Sequence, residues 1–209
     1  MGERLVVSVP MRRNEVRAGC KTVGRLMTLR QIYIDLGANV GDTIESYRQK
    51  NPDAFVYGFE PNPRLAQQLR ARFSDSGVII FEKAAWILDG IRSFYLGHDL
   101  SSTLIDGKRP MPDYPEFEIT YQEHVLVETI DIARWLLETF TKDVRITMKI
   151  DIEGAEYKLL QRMLDTDAVD LVDEIYCEFH HDRFPSVTAE THQRIVTEVG
   201  LRSALKKWR

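Results

Sequence analysis

Residues Tyr33–Tyr47 read YIDLGANVGDTIESY, and the fold class turns on how these glycines are understood. The buried-looking run QIYIDL stops at Gly37, a short polar turn carries Gly41, and DTIESYRQK then has the composition of a helix. Strand, glycine turn and helix in that order open a βαβ unit. Asp42 is expected near the N-terminal amides of that helix, where a carboxylate is favoured. A dinucleotide-binding turn would place GxGxxG here so that a pyrophosphate rests on the helix N-terminus. Gly37, Ala38, Asn39, Val40, Gly41 and Asp42 do not match that spacing.

Working outward, the pattern of an α/β domain with a mainly parallel sheet continues. AFVYGFE gives a second strand that ends at Glu60, and NPRLAQQLRARF a helix with Leu65, Leu69 and Phe73 on one face. GVIIFEKAAW reads as a third strand and its exit, and GIRSFYL as an extra strand rather than a crossover helix. Gly97 to Pro115, with two glycines and three prolines, is a loop long enough to cover a ligand. EHVLVETID returns as a strand, and IARWLLETF is helical with Ile132, Trp135, Leu136 and Phe140 together. VRITMKIDIEG is the fourth core strand, AEYKLLQRML its helix, LVDEIYCEFHH a fifth strand, and TAETHQRIVTEVG a closing helix.

The chain of 209 residues, 44% hydrophobic and 10% aromatic, can bury one substantial core. Its formal net charge of −4 argues against nucleic acid as a partner. No apolar run is long enough to span a bilayer, and Val6 stands where a myristoylation signal wants Ser or Thr, so a soluble, cytoplasmic chain is expected. Cys20 and Cys177 are too few for a disulfide scaffold and are read as reduced thiols. The first thirty residues set Arg4, Arg12, Arg13, Arg17, Lys21, Arg25 and Arg30 against Glu3 and Glu15. They form a basic segment distinct from the domain over 31–209. Such an arm can touch an anionic partner, shape substrate choice or make a homodimer contact, and the plainer reading is a solvated segment packed loosely on the domain. The chain also suits a part of a larger multidomain protein.

The charges beside the glycine turn point to a ligand class. Asp42 stands where a phosphate would lie and Asp35 adds a second acid, and like charges oppose a diphosphate. S-adenosylmethionine, with its ammonium and sulfonium and no phosphate, reverses that sign. Glu60 at the end of the second strand can take both ribose hydroxyls, as acids do there in several cofactor classes. Ligands of open α/β sheets bind over the carboxyl ends of the strands, to which Lys149, Asp151, Glu178 and His180 are delivered. Residues 149 and 151 share one face, as do 178 and 180. Such a cluster suits proton abstraction from a hydroxyl. Asp151 or His180 is expected to accept the proton, with Lys149 and Glu178 orienting it; Lys149 and Glu178 also suit a structural pair between adjacent strands. Glu153 can face the site, and Glu156 sits in the first helical turn, where the macrodipole favours an acid. Asp151, Glu178 and His180 are types a divalent ion accepts, but no spacing motif demands a metal and none is expected.

IDLGANVGDT, VYGFEPNP, VETID and MKIDIEGAEYKLL, in that order, resemble the FkbM-type methyltransferases, a class I S-adenosylmethionine-dependent family, over roughly residues 31 to 180. The resemblance implies a Rossmann-like sheet with helices on both faces. It places Asp35, Gly37, Asn39, Gly41 and Thr43 around the methionine part of the cofactor, and Glu60 on the ribose. Pro61 and Asn62 would lie near the adenosine, Ala84 and Ala85 beside adenine, and Asp151 at the reacting end. The loop with Ser101, Ser102 and Thr103 would cover the cofactor, leaving S-adenosylhomocysteine as product. It further implies methyl transfer to a hydroxyl of a small molecule or glycan, a sugar first of all, with Tyr114, Tyr121 and Trp86 as candidate stacking surfaces. Only LRSALKKWR follows Gly200, so the C-terminal antiparallel strand pair usual for this fold is expected to be reduced or altered. Two other readings share the fold: an NAD(P)-binding oxidoreductase, and a non-catalytic S-adenosylmethionine-binding domain of a larger enzyme.

Overall fold

The computed structural model describes residues 29–97, 101–110, 113, 119 and 121–208. The basic segment before residue 29, with Cys20, and Tyr114 therefore lie outside the described residues.

Strand β1 (Arg30–Leu36) is buried on both faces from Tyr33 onward, as a central strand of a parallel sheet must be. Around it the main sheet runs β3 (Ile79–Phe81), β2 (Phe55–Phe59), β1, β7 (Val144–Ile150), β8 (Glu174–Cys177) and β9 (Ala204–Lys207). All of these neighbours pair in parallel. Parallel pairing needs crossovers, and the helices supply them on both faces. On one face Ile32, Ile34, Met148 and Ile150 meet Leu136 of α3 (Ile132–Thr139), Leu159 and Met163 of α4 (Glu156–Asp165), and Ile195 of α5 (Ala189–Gly200). On the other, Tyr33 and Val56 pack with Ile44 of α1 (Asp42–Lys50) and with Leu69 of α2 (Pro63–Arg72). Fully burying each such side chain is worth about 1.5–3 kcal/mol.

GVIIFEKAAW is not one strand. β3 stays in the main sheet, where Phe81 stacks on Phe59 at 4.7 Å. After Lys83 the chain leaves for a second sheet of β4 (Ala84–Trp86), β6 (His124–Asp131) and β5 (Gly90–Tyr95), in that order. β4 runs parallel to β6, and β5 antiparallel to it. Lys83 marks the change by pairing with Glu128 of β6 at 2.7 Å. The C-terminal edge is rebuilt rather than paired with an antiparallel strand. β9 lies parallel to β8 with Lys207 opposite Cys177, and Trp208 N–H donates to the Cys177 carbonyl at 2.9 Å.

Candidate active site

A cavity of about 320 Å³ opens over the carboxyl ends of these strands, between the Gly37–Thr43 turn, Glu60–Asn62, Ala84–Ala85, Ser101–Ser102 and the polar ends of β7 and β8. Its first half is made by backbone. Gly37 has φ +81°, and a Cβ there would lie 2.0 Å from the Asp151 carbonyl oxygen, so the ends of β1 and β7 can approach only through a glycine. Gly37 and Ala38 N–H both donate to the Phe59 carbonyl at 3.0 Å, tying the turn to β2. Asn39 N–H donates to one Glu60 carboxylate oxygen at 2.8 Å and Asn62 N–H to the other at 2.9 Å. Burial raises the Glu60 pKa to about 7 against the pull of these two donors. The Asn62 side chain caps α2 by accepting from Arg64 N–H at 3.0 Å, with Pro63 at the first helical position.

The acids that decided the ligand class are placed differently. Asp42 is the first residue of α1 and does not cap it; Gly41, at φ +91°, holds that position. Its carboxylate points outward to Arg72 at 2.8 Å, although the residue lines the cavity. Asp35 is wholly buried behind the cavity wall, accepts from the Thr43 hydroxyl, and lies 3.4 Å from Lys149 Nζ. Lys149 also donates to the Gly37 carbonyl at 2.8 Å and lies 3.3 Å from Asp151, and among the described residues these and Asp35 are the partners its ammonium engages. Burial raises the Asp35 pKa; the Asp35 and Asp151 charges raise that of Lys149 despite its own burial.

The second half is built from side chains that converge from distant segments. Asp151, Glu153 and Glu178 line the cavity, whereas His180 sits behind them. His180 Nδ1 is 3.0 Å from Glu156 and its Nε2 3.5 Å from Glu153. Burial opposes the imidazolium, but the bond to Glu156 and the charges of Glu156, Glu153 and Asp151 outweigh it and lift its pKa to about 9. Glu156 is fully buried and also accepts from Ile152 and Gly154 N–H, both at 3.1 Å, so its role is more than a first-turn charge. Lys108 reaches in from the β5–β6 connection to Glu153 at 2.6 Å and to the Ser101 carbonyl at 2.9 Å. Asp151, Glu153 and His180 bring ligand-type atoms within 4.8 Å of one another. The Lys108 ammonium already engages Glu153, and both His180 ring nitrogens face carboxylates, so this donor set is matched by the chain's own cations.

Two of the expected aromatic surfaces, Trp86 and Tyr121, stand outside the cavity lining. Trp86 is buried beneath the Arg92 guanidinium, 4.7 Å above its ring. The Tyr121 hydroxyl accepts from Lys108 N–H at 2.6 Å and so braces the loop. Among the described residues, the aromatic rings that line the cavity are Phe94 and, from the C-terminal edge, Trp208. Trp208 was not legible in advance, because its place depends on β9 adding to β8. Ser102 lines the cavity as expected and accepts from Gly97 N–H at 3.1 Å.

An all-parallel main sheet with a cavity over its carboxyl ends defines a Rossmann-like α/β domain. A family profile described as the methyltransferase FkbM domain matches residues 35–203, and the chain belongs to that family. Over 174 residues it is 25% identical to the 2-O-methyltransferase NoeI of Sinorhizobium fredii, covering 74% of this chain and 70% of that protein. Among solved structures it is 14% identical to methyltransferase FkbM from Methylobacillus flagellatus, at a TM-score of 0.47, covering 80% of this chain and 37% of that one. It is 10% identical to the yeast methylglyoxal/isovaleraldehyde reductase Gre2 complexed with NADPH, at a TM-score of 0.42, covering 85% of this chain and 52% of that one. The chain thus matches well under two thirds of the length of either structure.

Proposed function

We propose that the chain is an S-adenosylmethionine-dependent methyltransferase that transfers to a hydroxyl oxygen of a small molecule or glycan, with a sugar hydroxyl as the first acceptor to test. The charge of the cavity carries this reading. Glu60, Asp151, Glu153 and Glu178 line it, Asp42 turns its carboxylate outward to Arg72, and Lys149 is the one basic residue among the described lining. A ligand with a sulfonium and an ammonium is favoured in such a field, and a diphosphate is opposed. Membership of the family supports methyl transfer, and the likeness to NoeI, a 2-O-methyltransferase, supports oxygen as the acceptor atom.

The residues present fit the cofactor. The backbone of Gly37, Asn39 and Gly41 with Thr43 would hold its methionine part, Glu60, Pro61 and Asn62 the ribose side, and Ala84 and Ala85 the adenine, with Ser102 above. When bound, the cofactor supplies an electrophilic methyl group on a sulfonium sulfur. The chain's own task is to hold donor and acceptor in near-attack geometry and keep out water. Lys149 does part of this by fixing the Gly37 carbonyl and the Asp151 carboxylate on one ammonium. The test is thermal unfolding with S-adenosylhomocysteine and, separately, with NADPH. At about a hundred times its dissociation constant a ligand adds roughly 2.7 kcal/mol, a rise of about 5–10 °C for a domain of this size. The rise is expected with S-adenosylhomocysteine alone; a rise with NADPH alone would sink the reading.

A further inference from the structure

Among the acids of the cavity, Glu153 is held in a way that the others are not. It is a non-glycine residue in the left-handed region, at φ +53°, directly before Gly154 at φ +106°. Such a conformation is strained and persists where the surroundings over-determine it. Here they do. The Thr103 hydroxyl donates to the Glu153 carbonyl at 2.6 Å, Gly154 N–H is taken by the buried Glu156, and the Phe184 ring lies where any Gly154 side chain would go. Two cations then converge on one oxygen of its carboxylate: Lys108 Nζ at 2.6 Å and His180 Nε2 at 3.5 Å both face Oε2. Oε1 engages no partner among the described residues, and the residue lines the cavity.

We propose that Glu153 is the proton acceptor of the transfer reaction, with Lys108 and His180 as positioning residues that fix its carboxylate and leave Oε1 to the acceptor hydroxyl. This rests on the methyltransferase reading above and names the group that reading left open. Neither residue expected from the sequence is as well suited. Asp151 is held by one cation, Lys149 at 3.3 Å, where two fix the Glu153 carboxylate, and His180, enclosed by Glu153, Glu156 and Glu178, carries its proton already and has no position in the cavity lining. Burial pushes the Glu153 pKa above its ordinary value, which makes it a stronger base than an exposed carboxylate. Lys108 and His180 oppose that shift and so favour the ionised form. In the step itself the acceptor hydroxyl gives its proton to Oε1 while its oxygen bonds the methyl carbon. The electron pair of the broken carbon–sulfur bond leaves with the thioether, and Glu153 later returns the proton to water.

Glu153→Gln keeps the size of the side chain and removes the base. With tritiated S-adenosylmethionine and a panel of methyl glycosides, its kcat should fall by about 10²- to 10⁴-fold while its affinity for S-adenosylhomocysteine stays within about threefold of wild type. Lys108→Met should move the acid limb of the kcat–pH profile upward, because losing a cation raises the Glu153 pKa; a merely structural lysine would lower kcat and leave the limb in place. Wild-type turnover in Glu153→Gln overturns the proposal. Should wild type bind S-adenosylhomocysteine but methylate no panel member, the carboxyl ¹³C titration of Glu153 decides: a midpoint above the ordinary range supports the assignment, and one at or below it overturns it. Failure of wild type to bind S-adenosylhomocysteine would instead sink the methyltransferase reading and the acceptor role with it.

Discussion

The two halves of the cavity are made of different materials. Around Gly37, Asn39 and Gly41 the wall is backbone, and its hydrogen bonds run to Phe59 and Glu60 on the adjacent strand. Around Glu153 the wall is a chain of side chains, Lys108 to Glu153 to His180 to Glu156, drawn from three separate segments. A backbone wall holds its shape through allowed dihedral angles and tolerates no added atom; a side-chain wall holds its shape through charge and responds to pH. The sharpest way to break the first is Gly37→Ala. A methyl group would need φ +81° and would overlap the Asp151 carbonyl, itself backbone and unable to step aside. Denaturant unfolding should show a loss of more than about 4 kcal/mol, or no folded protein at all. Gly107→Ala is the control: it shares a positive φ of +77° but has nothing within 4 Å, so its loss should be near 1 kcal/mol, the dihedral cost alone.

The same division explains what was legible in the sequence. The strand, turn and helix around Gly37 and the acid at Glu60 are local patterns, and the parallel sheet follows from their repetition. Lys108 could not be read, since it lies 45 residues from Glu153 in a stretch that looks like any polar loop. Glu156 was visible only as an acid in a first helical turn: its backbone donors at Ile152 and Gly154 are local, but His180 becomes its neighbour only after β7 and β8 pair. The break of GVIIFEKAAW into two sheets was hidden for a related reason: hydrophobicity is continuous across it, and the partner that pulls β4 away, β6, comes some forty residues later in the chain. Asp35 and Asp42 were read correctly as acids beside the turn, but their partners Lys149 and Arg72 are tertiary, so neither presents its charge to the cavity in the way the sequence suggested.

The two halves predict different dependences on pH, the side-chain half through His180 and the backbone half through Glu60. The folded pKa of His180, about 9, lies above its ordinary 6.5. The folded state therefore binds the proton more tightly than the unfolded state does. Its contribution is fully present below pH 6.5 and is lost as pH rises through 9, on the order of 3 kcal/mol in all. Urea titrations across that window should show the loss, and Glu156→Gln, which removes the largest source of the shift, should flatten the curve. An equally steep curve in Glu156→Gln would mean that another group sets the slope. Glu60 acts in a lower window. Its folded pKa of about 7, above the ordinary 4.5, means that stability is lost as pH rises through 7.

The smallest expected effect separates the two materials within a single residue. Asn62 serves the backbone half twice: its N–H holds Glu60, and its side chain caps α2. Asn62→Ala keeps the first function and removes the second, so stability should fall by about 1 kcal/mol. Asn62→Ser should restore it, because a serine hydroxyl caps a helix about as well as an asparagine carbonyl does. Calorimetric binding of S-adenosylhomocysteine to the two variants then shows what else the amide does. If both bind as wild type does, Asn62 contributes to the site only through the N–H that every residue except proline would offer. If the serine variant is stable but binds weakly, the amide itself meets the ligand, and the first half of the cavity is not built from backbone alone.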